Sequence, residues 1–260
     1  MTMPSHVLSS RSTVRFRPPR FGLGGSQLGD SDEQTAIATV DAAYQAGIRF
    51  FDTSAKNGAS EERLGRALQP RPRGEYLLSI RTRGEDPEGD VRRSSERLGL
   101  AVDLVLAANA AEYPVLEELR RDGVIKAVGA VADDWQQLDR LVQEVDLDCV
   151  LLTRHYSLLD RQARPLLDSC QARGVSVIVS GALVLRPETV KARRISAVCE
   201  RYGVSLPQAA LAFPGRHPAV TSVLITAKSP AEIRADAALV RRPVPERLWK
   251  DPELLRLLSS

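Results

Sequence analysis

Four side chains that could carry protons or hold an anion stand in, or just after, short apolar runs of the sequence. Asp52 lies in the run 48–53, Arg81 ends the run 76–81, and His155 and Tyr156 follow the run 147–153. Carboxylate, imidazole and phenol groups exchange protons, whereas a guanidinium stays charged and binds anions. These residues predict a site for acid–base catalysis or for binding a polar or anionic small molecule.

Further polar residues at comparable positions could line the same pocket. They are Lys56, Asn57, Arg83, Asn109 and Arg154. We therefore predict a small-molecule ligand, and a protein partner is a second possibility. The three cysteines form no CxxC pair and stand in apolar stretches, which is typical of reduced buried thiols and gives no indication of a metal site.

The apolar runs alternate with amphipathic segments along most of the chain. The strand candidates are 20–24, 48–53, 76–81, 102–107, 124–131, 147–153, 175–180 and 220–226, and eight helices are predicted between and after them, the last at 229–239. Nearly continuous apolar runs are typical of strands that are buried on both faces of a parallel sheet. Eight such units in about 250 residues predict an α/β fold, the (β/α)8 TIM barrel, whose functional residues follow the strands.

The predicted barrel occupies residues 16–242 as a single domain. We expect a flexible N-terminal arm at 1–15 and a C-terminal tail at 243–260. The segments after the third and seventh strands are short, so we also expect shortened loops on the C-terminal face and an open mouth.

Composition argues against several classes of function. The chain has 260 residues, 43% hydrophobic and 27% charged, with a net charge of +3. Binding to nucleic acid needs a concentrated basic face, which the sequence lacks. No run approaches the roughly 18 apolar residues of a membrane span, and the N-terminus has no apolar core of a signal peptide, so a cytoplasmic protein is predicted.

Several motifs occur in the order found in one enzyme family. They include residues 32–53 (DEQTAIATVDAAYQAGIRFFDT), 94–100 (SSERLGL), 119–129 (LRRDGVIKAVG) and 155–160 (HYSLLD). In these motifs the sequence resembles the aldo-keto reductases, and it looks closest to their sugar and aldose dehydrogenase branch. The resemblance implies a TIM barrel and hydride transfer between a nicotinamide cofactor and a carbonyl group, assisted by Asp, Tyr, Lys and His.

The sequence departs from the family pattern at three of those four positions. Asp52 matches the family aspartate, but Asn57 stands where the tyrosine is expected and Arg81 where the lysine is expected. At the end of the fourth strand, Ala107, Ala108 and Asn109 replace the segment with the histidine. An asparagine amide cannot donate a proton at neutral pH, so the sequence predicts loss of the usual acid catalyst and survival of an Asp52–Arg81 ion pair.

The positions that hold the cofactor in the family have also changed. Asp133 stands where the family has an asparagine on the nicotinamide amide, while Lys228 and Ser229 begin the last predicted helix and could bind a phosphate. Aligned on the neighbouring proline and isoleucine, Glu232 takes the place of the arginine that selects NADP; a shifted alignment gives that role to Arg234. Asp236 stands where the family contacts adenine.

Three functions follow as hypotheses. The favoured one is a repurposed small-molecule enzyme that performs non-redox chemistry, such as elimination, isomerisation or cyclisation, without NADP. The alternatives are an NAD(P)-dependent oxidoreductase acting on a carbonyl or sugar, and a binding protein that catalyses nothing. No cofactor is favoured, although NAD or NADP is possible.

Overall fold

The sequence alternates strands and helices, and a computed structural model describes residues 16–259 of the chain. The strands are β1 (Phe21–Gly24), β2 (Phe50–Asp52), β3 (Leu77–Arg81), β4 (Leu104–Ala107), β5 (Ala127–Ala132), β6 (Cys149–Leu152), β7 (Ser176–Ser180) and β8 (Val220–Ile225). Each strand pairs in parallel with the next, and β8 closes on β1. The predicted (β/α)8 barrel is therefore confirmed, while the arm predicted at 1–15 lies outside the described residues.

Helices surround the barrel and connect its strands. They are α1 (Glu33–Gln45), α2 (Ser60–Leu68), α3 (Pro87–Leu98), α4 (Tyr113–Arg121), α5 (Trp135–Glu144), α6 (Arg164–Arg173), α7 (Val190–Arg201), α8 (Leu206–Ala212), α9 (Pro230–Arg241) and α10 (Pro252–Ser259). The sequence did not predict α8 or α10. Helix α8 is short and almost wholly apolar, so it lacks the amphipathic period by which the other helices were found.

Two sets of apolar side chains form the core because successive residues of a strand point to opposite faces. One set fills the barrel and includes Phe50, Leu104, Leu106, Leu151 and Ile178; the other packs between the sheet and the helices. All three cysteines are free and buried, as expected, and burial raises the pKa of the Cys199 thiol to about 11.

The stretch predicted as a C-terminal tail includes a helix that packs against the barrel domain. Leu254 of α10 is fully buried, and the Tyr202 hydroxyl at the end of α7 donates a hydrogen bond of 2.8 Å to Asp251 Oδ2. Within residues 16–259, no helix is both long and apolar enough to cross a membrane.

The carboxyl ends of all eight strands meet at one face of the barrel, here called the mouth. The turn after β1 must pass close to the end of β2. A Cβ atom on Gly25 would lie 2.5 Å from Ser60 Oγ and 3.0 Å from the carbonyl oxygen of Asp52, so only glycine permits this approach. The mouth brings together the residues that follow the strands.

Candidate functional site

Asp52 is the centre of a hydrogen-bonded group at the mouth. It ends β2 and is 1% exposed. Its Oδ1 accepts a hydrogen bond of 2.7 Å from the Ser79 hydroxyl, and its Oδ2 accepts one of 2.6 Å from Arg81 Nη2. Ser79 is the register partner of Asp52, and Arg81 lies two residues further along β3 on the same face. The predicted Asp52–Arg81 ion pair is confirmed.

Arg81 is only partly used by this ion pair. Its side chain is 27% exposed, and its Nε is buried with no partner among the described residues. The charge of Asp52 raises the pKa of the Arg81 guanidinium against the opposing effect of desolvation, and Asp133 raises it further. Arg81 is therefore a permanent and partly exposed cation at the mouth, and it cannot act as a general acid near neutral pH.

Asp133 and Thr153 extend this group along the rim. The Thr153 hydroxyl, after β6, donates a hydrogen bond of 2.9 Å to Asp133 Oδ1, after β5. Sequence reasoning did not select Thr153 or Ser79, because an isolated hydroxyl at a strand end carries no distinctive pattern. The order of the strands places both beside the charged residues.

The rim after β4 is occupied by a capping motif. The Asn109 side chain accepts from the Ala111 amide at 2.9 Å and donates to Glu112 Oε1 at 3.0 Å. Glu112 Oε1 also accepts from two backbone amides, whereas its buried Oε2 has no partner in the described part of the chain. The polar atoms of Asn109 thus hold the loop, and Glu112 is a rim carboxylate that the sequence pattern did not reveal.

His155 and Tyr156 lie in different surroundings from Asp52. His155 has a φ of 66°, and its Nδ1 lies 3.1 Å from Asp160 Oδ2. Tyr156 is 6% exposed; its ring packs 5.6 Å from that of Phe213 and 6.3 Å from that of His217, and burial raises its pKa. Tyr156 is therefore held mainly by core packing.

The other predicted pocket residues are distributed around the rim. Lys56 and Asn57 belong to the turn between β2 and α2, where the Asn57 amide donates to the Ser54 carbonyl. Arg83 is exposed after β3, and its backbone amide donates to Asp90 Oδ2. Arg154 lines a cleft of about 980 Å³.

This cleft, the β6–β7 cleft, lies beside the mouth. It is bounded by the segments after β6 and β7, the start of α7 and the last turn of α10; its lining includes Thr153, Arg154, His155, Asp160, Arg161, Ser180, Arg186, Lys191 and Leu258. Thr153 belongs to both the cleft and the Asp133 contact, so the two parts of the predicted site are adjacent.

The segment predicted to bind a phosphate at the start of α9 is capped by its own side chains. Ser229 is the N-cap and accepts from the Glu232 amide, while the Lys228 amide donates to Glu232 Oε2 at 2.7 Å. Arg234 is exposed on this helix. Asp236 is 9% exposed with its Oδ2 unpartnered among the described residues, and burial, followed by the charge of Glu232, raises its pKa to about 6.

Comparison with known proteins defines the class. Residues 20–251 match the model of the aldo/keto reductase family, so the chain belongs to that family. It is 30% identical to D-threo-aldose 1-dehydrogenase from a Pseudomonas species, over 93% of this chain and 95% of that protein. It is 27% identical to pyridoxal 4-dehydrogenase from Microbacterium luteolum, over 88% and 91% respectively. The holo form of aldo-keto reductase AKR11C1 from Bacillus halodurans has the same fold, with a TM-score of 0.77 at 21% identity, over 95% of this chain and 94% of that one.

These relatives show that the favoured prediction of non-redox chemistry is wrong. Both curated proteins are named dehydrogenases and align over nearly their whole length. The prediction gave too much weight to the three positions at which the sequence was aligned with, but differs from, the acid–base residues of the family pattern. General acid catalysis contributes typically 10²–10⁴-fold, whereas the hydride chemistry itself belongs to the cofactor.

Proposed function

We propose that this protein is an NAD(P)-linked oxidoreductase that acts on the carbonyl group of a sugar or another small molecule. Its family and the names of its relatives support this function. The observation that carries the proposal is the Asp52–Arg81 pair at the mouth, because it presents a fixed and partly exposed cation where a carbonyl oxygen could bind.

The donor set fits a nicotinamide nucleotide, and it fits NAD better than NADP. Asp133 uses one carboxylate oxygen for Thr153 and leaves the other to accept from a carboxamide NH₂. At α9, the exposed Glu232 carboxylate is an acceptor that suits ribose hydroxyls. The negative charges of Glu232 and Asp236 would repel a 2′-phosphate. Asp133, Thr153 and the start of α9 would therefore hold the cofactor.

When bound, the cofactor supplies the site at which hydride is gained or lost. Arg81 donates a hydrogen bond to the carbonyl oxygen of the substrate and stabilises the negative charge that develops there during reduction. Asp52 fixes the position of Arg81, and Ser79 fixes the position of Asp52. Because the pKa of Arg81 is raised, the guanidinium keeps its protons and water protonates the product oxygen. In this proposal the reaction proceeds without the tyrosine, lysine and histidine of the family pattern.

Binding and turnover test this function together. We expect NADH to bind saturably, with NADPH at least tenfold weaker, as followed by the fluorescence of Trp135 and Trp249. Glu232→Gln removes a negative charge at α9 and should reduce the ratio of NADH to NADPH affinity several-fold. A unit charge near the 2′-phosphate of NADPH contributes about 1 kcal/mol in water-exposed surroundings. Glu118→Gln, an exposed carboxylate on α4, is the matched control. If neither NADH nor NADPH binds, the proposal is refuted.

A binding function without turnover is the second candidate. It is favoured by the placement of Tyr156, which core packing holds rather than contact with Asp52. Saturable NADH binding with no hydride exchange across a panel of aldoses would support this second function over the first.

A further inference from the structure

A separate cavity lies towards the amino ends of the strands, away from the mouth. Its volume is about 300 Å³, and it is bounded by the segment before β1, the start of β1, the end of α8 and the first four residues of β8. We call it the amino-end pocket; its lining includes Arg17, Arg20, Phe21, Leu211, Thr221 and Val223. Because all eight strands run in the same direction, the rest of β1 and β8 separates this pocket from the mouth.

The charged side chains in the lining of the amino-end pocket have one sign. Arg17 and Arg20 are exposed, and the described lining contains no carboxylate. Arg216, which follows Gly215 of the lining, donates hydrogen bonds of 2.9 and 2.8 Å to Glu246, so the charge of that acid is already compensated. A guanidinium keeps its charge and binds carboxylates through paired N–H donors. The pocket therefore favours an anionic ligand.

The backbone that carries these two cations is held in place without a ligand. Pro18 and Pro19 lie between Arg17 and Arg20, and each proline ring fixes its own φ. The Arg20 carbonyl accepts a hydrogen bond of 2.9 Å from the Val223 amide, which attaches this segment to β8. A ligand that binds here pays little to order the backbone, and such preorganisation favours affinity.

The wall of the pocket beside the cations is apolar. Phe21 and Val223 are register partners on β1 and β8, and Leu211 of α8 also belongs to the lining. The guanidinium carbon of Arg20 lies 5.4 Å from the centre of the Phe21 ring, so a cation and an aromatic side chain are adjacent. An inorganic ion would leave this apolar surface uncovered. The volume is at the lower end of the range for ligand pockets, which limits the ligand to a small molecule.

We propose that the amino-end pocket binds a small organic monocarboxylate. The carboxylate lies at Arg17 and Arg20, and the apolar body, of the size of one ring or a short alkyl chain, packs against the apolar wall. The proposal goes beyond the oxidoreductase function and does not depend on it. The pocket shares no lining residue with the β6–β7 cleft, and it includes neither the hydrogen-bonded group around Asp52 nor the start of α9.

Benzoate is the probe that tests this pocket. It is titrated at constant ionic strength into the full chain labelled with ¹⁵N, and the amide resonances of Thr221 and Val223 report on the pocket. We expect saturable shifts of these resonances with a Kd on the order of 1 mM or lower. Acetate lacks the ring and benzamide lacks the charge, so each should bind at least about tenfold more weakly at the same amides.

Charge variants identify the groups that bind the carboxylate. Arg17→Gln/Arg20→Gln removes both cations of the pocket, and Arg92→Gln/Arg121→Gln removes the same charge from exposed positions on α3 and α4. We expect benzoate affinity at the pocket amides to fall at least about tenfold in the first variant. In the second variant it should change by less than about twofold, because salt screens distant charges. Far-ultraviolet circular dichroism and urea unfolding check that both variants fold like the wild type.

A third variant separates the amino-end pocket from the mouth. Arg83→Gln/Arg154→Gln removes two exposed cations of the mouth and should leave the benzoate affinity at the pocket amides unchanged. Absence of saturable shifts at these amides, an equal loss of affinity in all three variants, or a loss confined to the mouth variant would overturn the proposal. No nucleotide takes part in these titrations, so their failure leaves the oxidoreductase proposal intact, and failure of nucleotide binding leaves the benzoate result intact.

Discussion

At the residue scale, the chemistry of the mouth depends on one buried carboxylate and the cation that faces it. Asp52 is 1% exposed, so its charge is stable there only because Arg81 and Ser79 hydrogen-bond to it. The ion pair therefore has a structural role in addition to the proposed role of Arg81 at the carbonyl oxygen. The two roles can be separated by experiment.

Removing the cation alone should destabilise the protein, and removing both charges should restore much of the loss. We expect Arg81→Gln to lower the free energy of unfolding by about 3 kcal/mol, because it leaves Asp52 buried and unpaired. The double variant Asp52→Asn/Arg81→Gln should recover at least half of that loss in urea unfolding. Both proteins should nevertheless lose turnover by about 10²–10³-fold, the usual cost of losing one oxyanion donor. Full turnover in the stable double variant would contradict the role of Arg81.

The sequence identified this pair through the family resemblance, which aligns Asp52 with the family aspartate and Arg81 with the family lysine. It could not show that Tyr156 is held by Phe213 and His217, or that Asn109 caps a turn. A phenol beside a strand end has the same sequence signature whether it faces the mouth or the core. The direction in which the Tyr156 side chain points depends on the path of the loop after β6.

At the element scale, the first two turns of α9 carry two carboxylates, those of Glu232 and Asp236. Glu232 caps the helix through the Lys228 amide, and Asp236 follows one turn later with a buried oxygen that has no partner among residues 16–259. The carboxylate of Glu232 supplies the negative charge that a helix N-terminus favours. This arrangement also gives the helix a pH-dependent stability.

Stability should fall as the pH rises through the range in which Asp236 ionises in the folded state. Its pKa is raised from 3.8 to about 6, so folding favours the protonated form; the stabilisation is fully present below about pH 4 and is lost as the pH rises past 6. Asp236→Asn should remove this dependence and raise the free energy of unfolding at pH 8 by about 1–3 kcal/mol.

Urea unfolding between pH 4.5 and pH 8 measures this difference. Glu118→Gln removes an exposed carboxylate of α4 and serves as the control, which should keep the pH dependence of the wild type. Parallel pH profiles for Asp236→Asn and the wild type would show that the carboxyl does not titrate in the proposed range.

At the scale of the whole molecule, α10 closes one side of the cleft. Leu254 is fully buried, while the neighbouring Leu255 is 48% exposed. Leu258 from the same helix contributes to the cleft lining. The segment predicted as a tail therefore contributes to the packing of the barrel and to the lining of the β6–β7 cleft.

The two neighbouring leucines provide a matched test of this packing. Leu254→Ala should lower the free energy of unfolding by about 2–5 kcal/mol because it leaves a cavity in the core. Leu255→Ala should change it by no more than about 0.5 kcal/mol, as is usual for exposed positions. Equal effects of the two substitutions in urea unfolding would show that α10 is not packed as described.

The sequence by itself determined the barrel, because eight apolar runs separated by amphipathic helices can bury their strands on both faces in few other ways. It also determined the family resemblance, and the resemblance implied the pairing of Asp52 with Arg81, which end neighbouring parallel strands. Only the tertiary structure decided which side chains share a space. The β6–β7 cleft joins Arg154 to Arg186, Lys191 and Leu258, which are far apart in the chain, and such contacts depend on loop paths that local sequence patterns do not encode.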